Sequence, residues 1–383
     1  MEVLNMYSIL VVGAGKEGKG FIGETFSTEG WKVSFLDKDP KVVEALKTGS
    51  YVVTAHQENG DFKRIITDYD AYLTDAAYSC MDAVVNCDVI ALALYPEDIP
   101  DAAAYLGKGL TCRAHAEGKN LTIMCCTNKN HLMPSIEAAF VEALGDEDAR
   151  LWFQEHVALR DAIVRRSTIA ETTSALELNT TVANTLLLQQ PVFADFDNVH
   201  WVELSDHIEQ LKDIKLYTIN GPHATCAYAG YQKGFKTINE AAADPEVAKL
   251  MRGVLEEAVP GLSREFNVPE KEIWNFCTLK QPKNDIVDAI YRVALDPIRK
   301  LGHFDRLTGN ALFCLKHGID PVSLIQSMAN AFAYDEPRDE KAMEIQQMIA
   351  DIGIEKTIAQ ICDLPEDHEL VMRVAQAYRK IKA

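Results

Sequence analysis

The sequence predicts an α/β fold: a Rossmann-type doubly wound sheet domain followed by an all-helical domain. Three observations lead there. Through the first half, short apolar β-rich runs alternate with helical patterns, the signature of a parallel sheet covered on both faces. The first of those runs passes directly into Gly-x-Gly-x-x-Gly and then a helical pattern. Beyond about Val202 the apolar spacing becomes almost continuously three and four. At roughly 100–200 residues per domain, a chain of 383 residues makes two domains, drawn here as 1–195 for dinucleotide binding and 196–383 for substrate and catalysis.

Taken in order, the strand candidates are Ser8–Val12, Lys32–Leu36, Val89–Leu94 and Leu121–Cys125, with Lys41–Lys47 among the intervening helical patterns. Tyr51–Thr54 and Phe62–Thr67 flank Asn59-Gly60, a pair that favours a turn with positive φ, so an antiparallel insertion is expected there. Val157–Leu188, rich in Thr, Val and Ile, is expected to extend the sheet. In the second half Val247–Phe266, Pro321–Phe332, Glu340–Ile352 and Glu366–Lys380 carry helical spacing, and prolines including Pro260 and Pro297 are read as boundaries or breaks. A cleft between the two domains is the default active site.

Composition narrows the function. Thirty-eight Lys and Arg stand against 57 Asp and Glu, a net charge of −19, which argues against nucleic acid as a partner because phosphate backbones select basic faces. A small anionic substrate needs only a local basic pocket. The 48% hydrophobic and 25% charged content is that of a soluble globular enzyme. Nine cysteines include no Cys-x-x-Cys pair, which removes the zinc-ribbon and thioredoxin readings and leaves buried reduced thiols. No basic leader opens the chain and no apolar run nears the roughly 18 residues that span a bilayer, so a cytoplasmic protein without membrane association is expected. Two self-contained cores suit a monomer or a weak homodimer.

In the glycine loop each residue has a task. Gly13 permits the tight turn, Gly15 lets the backbone N–H groups beside Ala14 approach a pyrophosphate, and Gly18 lets the helix pack on the strand. The helix N-terminus turns its positive end to the phosphates. The next strand ends at Asp37, where a carboxylate accepts from the adenosine ribose and disfavours a 2′-phosphate, so NAD is expected over NADP. Glu17, where an apolar residue is usual, makes the loop atypical.

A second informative run is Lys215-Leu-Tyr-Thr-Ile-Asn220-Gly-Pro-His223. At about 100° per residue, a helix would place His223 roughly 80° and Asn220 roughly 140° from Lys215, on one arc, with Pro222 loosening the backbone beside them. This run resembles the Lys-x4-Asn-x2-His signature of the polyol-specific long-chain dehydrogenases, a family that includes mannitol 2-dehydrogenases, hexuronate and aldonate oxidoreductases and mannitol-1-phosphate 5-dehydrogenases. Gly13–Gly23 with its Gly-Phe-Ile-Gly tail, Asn128 after the strand Leu121–Cys125, and Asp296-Pro-Ile-Arg-Lys300 with Asp305-Arg306-Leu are similar to further family blocks. The resemblance runs from about residue 8 to the C-terminus, and the chain length matches the mannitol-1-phosphate branch.

The resemblance implies oxidation of a secondary alcohol with hydride transfer to NAD and no metal. Lys215 would be the general base, Asn220 and Asn128 the donors to the developing oxyanion, and His223 the residue that orients substrate. Arg299, Lys300 and Arg306 are the candidates for polyol hydroxyls or a phosphate, the alternative being structural ion pairs. Departures from the family pattern are Glu17, the residues before Asn128, and Asp161-Ala-Ile-Val-Arg165-Arg166. Three readings stand: a hexitol phosphate interconverted with a ketose phosphate, the same chemistry on a free polyol or sugar acid, and a dinucleotide-binding sensor without turnover.

Overall fold

A computed structural model describes residues 7–56, 60–127, 129–165, 168–170, 174–181, 185–278 and 288–382. The described residues form two compact units, one running to Glu209 and the other beginning at Gln210.

The first unit holds twelve strands among its described residues: β1 (Ser8–Val12), β2 (Lys32–Asp37), β3 (Tyr51–His56), β4 (Phe62–Ile66), β5 (Tyr69–Leu73), β6 (Val89–Leu92), β7 (Leu121–Cys125), β8 (Val157–Val164), β9 (Thr168–Ala170), β10 (Glu177–Thr181), β11 (Leu186–Gln189) and β12 (Val202–Ser205). Eight of them make one sheet in the order β12-β11-β8-β7-β6-β1-β2-β5. From β5 across to β8 every pair is parallel, and β11 then joins β8 antiparallel. The chain lays down β1, β2 and β5 in one direction, then returns to place β6, β7 and β8 on the other side of β1. That reversal beside β1 is the switch point at which doubly wound sheets open a ligand crevice.

The apolar strands owe their burial to having a core on each face. Ile9 and Val11 of β1 join a cluster with Phe21, Phe26, Trp31 and Trp201, while Leu10 and Val12 join another with Val84, Leu106, Leu110 and Phe140. Strands buried on both faces read as continuous apolar runs, which is why β1, β6 and β7 stood out in the sequence.

The expected insertion forms, with Tyr51 paired to Ile66 across antiparallel β3 and β4 and Gly60 at φ +115°. It belongs to a second sheet, β4-β3-β10-β9. Val157–Leu188 is therefore divided: β8 and β11 extend the large sheet, whereas β9 and β10 complete the small one.

The structure corrects the sequence reading in three places. Helix does not set in at Val202: β12 pairs parallel with β11, and the next helix starts at Ile208. β5, unanticipated, is an edge strand carrying Asp70 between aromatic residues, and edges tolerate such polar interruptions. Pro260 lies inside the helix Pro245–Phe266 rather than at its end. Its loss of one backbone bond is offset by burial of Val254, Ala258, Val259 and Leu262 on the same helix.

The second unit is helical throughout its described residues. At its centre lies Asn220–Gln232, whose residues from Ala224 to Gly230 are all buried. Small side chains let neighbours approach closely: a Cβ on Gly230 would sit 2.5 Å from Ala241 Cβ. Helices Ile238–Ala243, Pro245–Phe266, Ile290–Ala294 and Val322–Phe332 pack around it. Among the described residues no helix is long and apolar enough to cross a membrane.

Candidate active site

A cavity of about 1060 Å³ opens at the carboxyl ends of the central strands in the first unit, lined by residues that include Gly13, Gly15, Asp37, Ala93 and Thr127. The glycine turn shapes its floor. Gly13 has φ +94°, and a Cβ there would come within 2.4 Å of the Ala93 carbonyl oxygen. A Cβ on Gly18 would lie 1.9 Å from the Gly13 carbonyl oxygen, so this residue is where helix and turn touch. Gly15 has nothing within 4 Å of a Cβ position, leaving its backbone open to a ligand. After the turn the chain winds through a π-helical stretch, Gly18–Gly23, into the α-helix Glu24–Thr28. The inserted sheet fastens that stretch: Tyr51 Oη donates to the Lys19 carbonyl at 3.1 Å, and Arg64 pairs with Glu24 at 2.5 Å.

Asp37 stands at the end of β2, where the motif requires an acid. One carboxylate oxygen accepts from the Ala14 N–H at 2.7 Å and the other from the Asp39 N–H at 2.9 Å. The carboxylate thus ties the glycine turn to β2 and keeps lone pairs for a further donor. Lys19, which sequence reasoning passed over, is buried beneath the turn and donates to the Ala14 carbonyl. Burial pushes its ammonium down to about 8, against the pull of Asp37. Lys16 and Glu17 line the cavity as well. Asn128 falls outside the described residues, but Thr127 and Lys129 beside it both line the cavity.

In the second unit the Lys-Asn-His run spans a helix junction. Lys215 lies in the helix Ile208–Thr218, and Asn220 and His223 open the next one, Asn220–Gln232. The break falls at Ile219 (φ −111°, ψ −54°), three residues before Pro222. Pro222 sits in the first turn, where a helix needs no internal N–H donor. Backbone bonds still bridge the junction, from Ile219 N–H to Lys215 O at 3.1 Å and from His223 N–H to Ile219 O at 3.3 Å. All three side chains are half-buried.

His223 Nε2 lies 3.8 Å from Asp288 Oδ2, and Asp288 is itself gripped by Arg292. Burial lowers the His223 pKa, Arg292, Arg306 and Lys300 push it the same way, and Asp288 opposes them. The imidazole is therefore neutral at pH 7. Lys300 is buried and donates to the Leu295 carbonyl. Burial, then the charges of Arg299 and Arg306, bring its ammonium down to about 8, with Asp296 and Asp339 pulling upward.

Arg306 is nearly buried. Its Nε bonds Asp305 Oδ1 at 2.7 Å, and among the described residues no acceptor meets its terminal nitrogens. The Arg306 carbonyl would lie 3.3 Å from a Cβ on Gly221, so the cationic loop and the Asn220 turn touch directly. Arg299 is exposed and lies 3.3 Å from Asp296 and 3.9 Å from Asp305. The structure thus gathers His223, Lys300 and Arg306 into one cluster and places Arg299 at its rim. Asp288 was invisible to spacing arguments, because only the fold brings it to His223. Arg165 directly follows β8, its N–H bonded to the Thr185 carbonyl at 3.0 Å, and Arg166 lies outside the described residues.

A glycine-turn Rossmann sheet with a crevice at its switch point, on one chain with a helical unit that carries lysine, asparagine and histidine at a helix junction, defines a two-domain oxidoreductase. The chain belongs to the mannitol dehydrogenase family: residues 7–188 match the mannitol dehydrogenase Rossmann domain and residues 207–382 the mannitol dehydrogenase C-terminal domain. It is a dehydrogenase of the polyol class. Similar proteins include the mannitol-1-phosphate 5-dehydrogenases of Thermoanaerobacter pseudethanolicus, 28% identical over 97% of both chains, and of Aspergillus clavatus, 27% identical over 97% of both. Among solved structures, a D-sorbitol dehydrogenase in substrate-free form superposes with a TM-score of 0.74 at 15% identity, covering 99% of this chain and 96% of that one. The Pseudomonas fluorescens mannitol 2-dehydrogenase, a ternary complex with NAD and D-mannitol, reaches 0.58 at 15% identity, covering 98% and 92%. These two likenesses concern the fold.

Proposed function

We propose that the chain catalyses the NAD-dependent interconversion of a hexitol phosphate of the mannitol 1-phosphate type and a ketose phosphate of the fructose 6-phosphate type. The observation that carries the phosphate is the cationic cluster in the second unit, where buried Lys300 and the open terminal nitrogens of Arg306 adjoin His223. An arginine fork matches phosphate oxygens, and a buried ammonium gains from a dianion what burial took from it. Relatives aligned over nearly their whole length carry the same activity in their names.

The cavity of the first unit fits a dinucleotide. Its turn leaves open space at Gly15, and Asp37 ends β2 with spare acceptor capacity toward a ribose. NAD+ supplies a hydride acceptor when bound. Gly13, Ala14, Gly15 and Gly18 would form the turn that receives its pyrophosphate, with the Gly15 N–H and the helix N-terminus facing it while the Gly13 and Ala14 N–H groups hold the turn to Leu36 and Asp37.

Lys215 takes the proton of the reacting hydroxyl. Asn220, just past the helix break at Ile219, donates to the oxygen as it gains charge, with Asn128 as its partner in that task. His223, kept neutral, can donate from one ring nitrogen and accept at the other, which suits it to fix two neighbouring hydroxyls. Lys300 and Arg306 hold the phosphate, and Arg299 closes its outer side.

The test is NADH consumption with fructose 6-phosphate beside fructose, other ketose phosphates, fructuronate and tagaturonate. Turnover of a phosphorylated ketose with none of its free sugar supports the proposal. Turnover of free sugars or uronates alone overturns the phosphate assignment, and NADH binding without any turnover leaves the sensor reading. Lys215→Ala should lower kcat by about 10²–10⁴-fold, the range for a lost general base, with NADH binding retained. Unchanged turnover would remove Lys215 from the base role.

A further inference from the structure

We infer that the Lys38–Asp98 ion pair is the element that excludes a 2′-phosphate from the nucleotide cavity, because it commits to a carboxylate the cation that directly follows Asp37 at the end of β2. The inference rests on the dinucleotide reading of the cavity and adds a determinant to Asp37.

Lys38 follows Asp37 at the end of β2, and Asp98 precedes the helix Ile99–His115 after β6. The two elements flank β1 on either side, and Lys38 Nζ reaches Asp98 Oδ1 at 2.5 Å. Both residues line the cavity, together with Asp37 and Asp101. Asp98 occupies the cap position of its helix yet makes no capping hydrogen bond with its side chain, so the carboxylate serves Lys38 instead of its own backbone. Asp37 is pinned through both oxygens to backbone N–H groups and cannot swing aside. Three carboxylates therefore surround a single lysine at this edge of the cavity.

A ribose 2′-hydroxyl is neutral and can donate to Asp37. A 2′-phosphate carries nearly two negative charges and would meet Asp37, Asp98 and Asp101, with Lys38 already engaged. Removing the Asp98 charge does two things at once: it deletes one repulsion and frees the ammonium to turn toward the phosphate. Asp98→Asn should therefore improve NADPH binding by about tenfold, equivalent to about 1.4 kcal/mol, relative to NADH.

The measurement is fluorescence titration of NADH and NADPH into the intact protein and its Asp98→Asn, Lys38→Met and double variants, with no turnover required. The expected pattern is a wild-type preference for NADH, a tenfold fall in the NADPH-to-NADH Kd ratio in Asp98→Asn, and reversal of that fall when Lys38→Met is added. The Asp98→Asn gain should also weaken with added salt, as a charge effect must. An unchanged ratio beside tight NADH binding overturns the inference alone. A gain that survives in the double variant overturns it too, since the lysine would then take no part. A wild type that binds neither nucleotide overturns the dinucleotide reading and this inference together.

Discussion

Lys300 carries the clearest consequence at the scale of single residues. With its ammonium near 8, the free protein loses a cation from the phosphate cluster as pH rises through that value. The KM for a phosphorylated ketose should rise above about pH 8, and Lys300→Gln should raise KM at pH 7 while flattening the rise. A KM that climbs equally in both proteins would take Lys300 out of phosphate binding. Lys215, Asn220 and His223 were legible as a run that resembles a family signature, but not as one helical arc, since the helix breaks at Ile219 between them. The state of Lys300 was not, since its burial and the approach of Arg306 come from residues packed in three dimensions. Asp288 illustrates the same limit: it lies 65 positions from His223 in the chain and meets it only in the fold.

Among the elements, the glycine turn separates two tasks that a motif cannot distinguish. Gly18→Ala puts a methyl 1.9 Å from a backbone oxygen, so turn and helix must part. A loss of about 1–3 kcal/mol of stability should accompany weakened NADH binding. Gly15→Ala meets no atom of the protein and should leave Tm within a degree or so of wild type, yet impair NADH binding by occupying the ligand's space. Thermal melts and NADH titrations on both variants check the pair, and a stable Gly18→Ala protein would contradict the contact. The strands at the sheet centre announced themselves because both of their faces are buried. β5 and β12, short and at the margins of the sheet, lack that pressure on composition and left little trace.

For the whole molecule, the buried thiols and phenols govern behaviour in alkali. Burial raises Cys87 and Cys226 to about 11, Cys314 and Cys362 to about 12, and Tyr78 and Tyr217 to about 12. Folded values above the unfolded 9.0 and 10.0 mean that these groups support the fold fully at lower pH and withdraw that support as the unfolded chain begins to ionise. Lys19 and Lys300 act oppositely: their folded values near 8 lie below 10.5, so their penalty is relieved between those two pH values. Thermal stability should therefore decline gently from pH 9 to about 10.5 and steeply beyond, once the lysine relief is exhausted. Melts across pH 7.5–11.5 under reducing conditions test this, and a flat profile above 10.5 would contradict it.

The central helix Asn220–Gln232 has a bearing on redesign. Its first turn supplies two of the proposed catalytic groups, while the residues that follow are locked among four neighbouring helices. Remodelling that begins there would disturb the core at every step. Arg299, on the short helix Pro297–Lys300, and Phe304, on the turn after it, by contrast stand around the cationic cluster with their side chains largely in solvent. Randomising those two positions should yield folded variants at high frequency, so libraries seeking activity on other polyols are best built on that rim with the helix left intact.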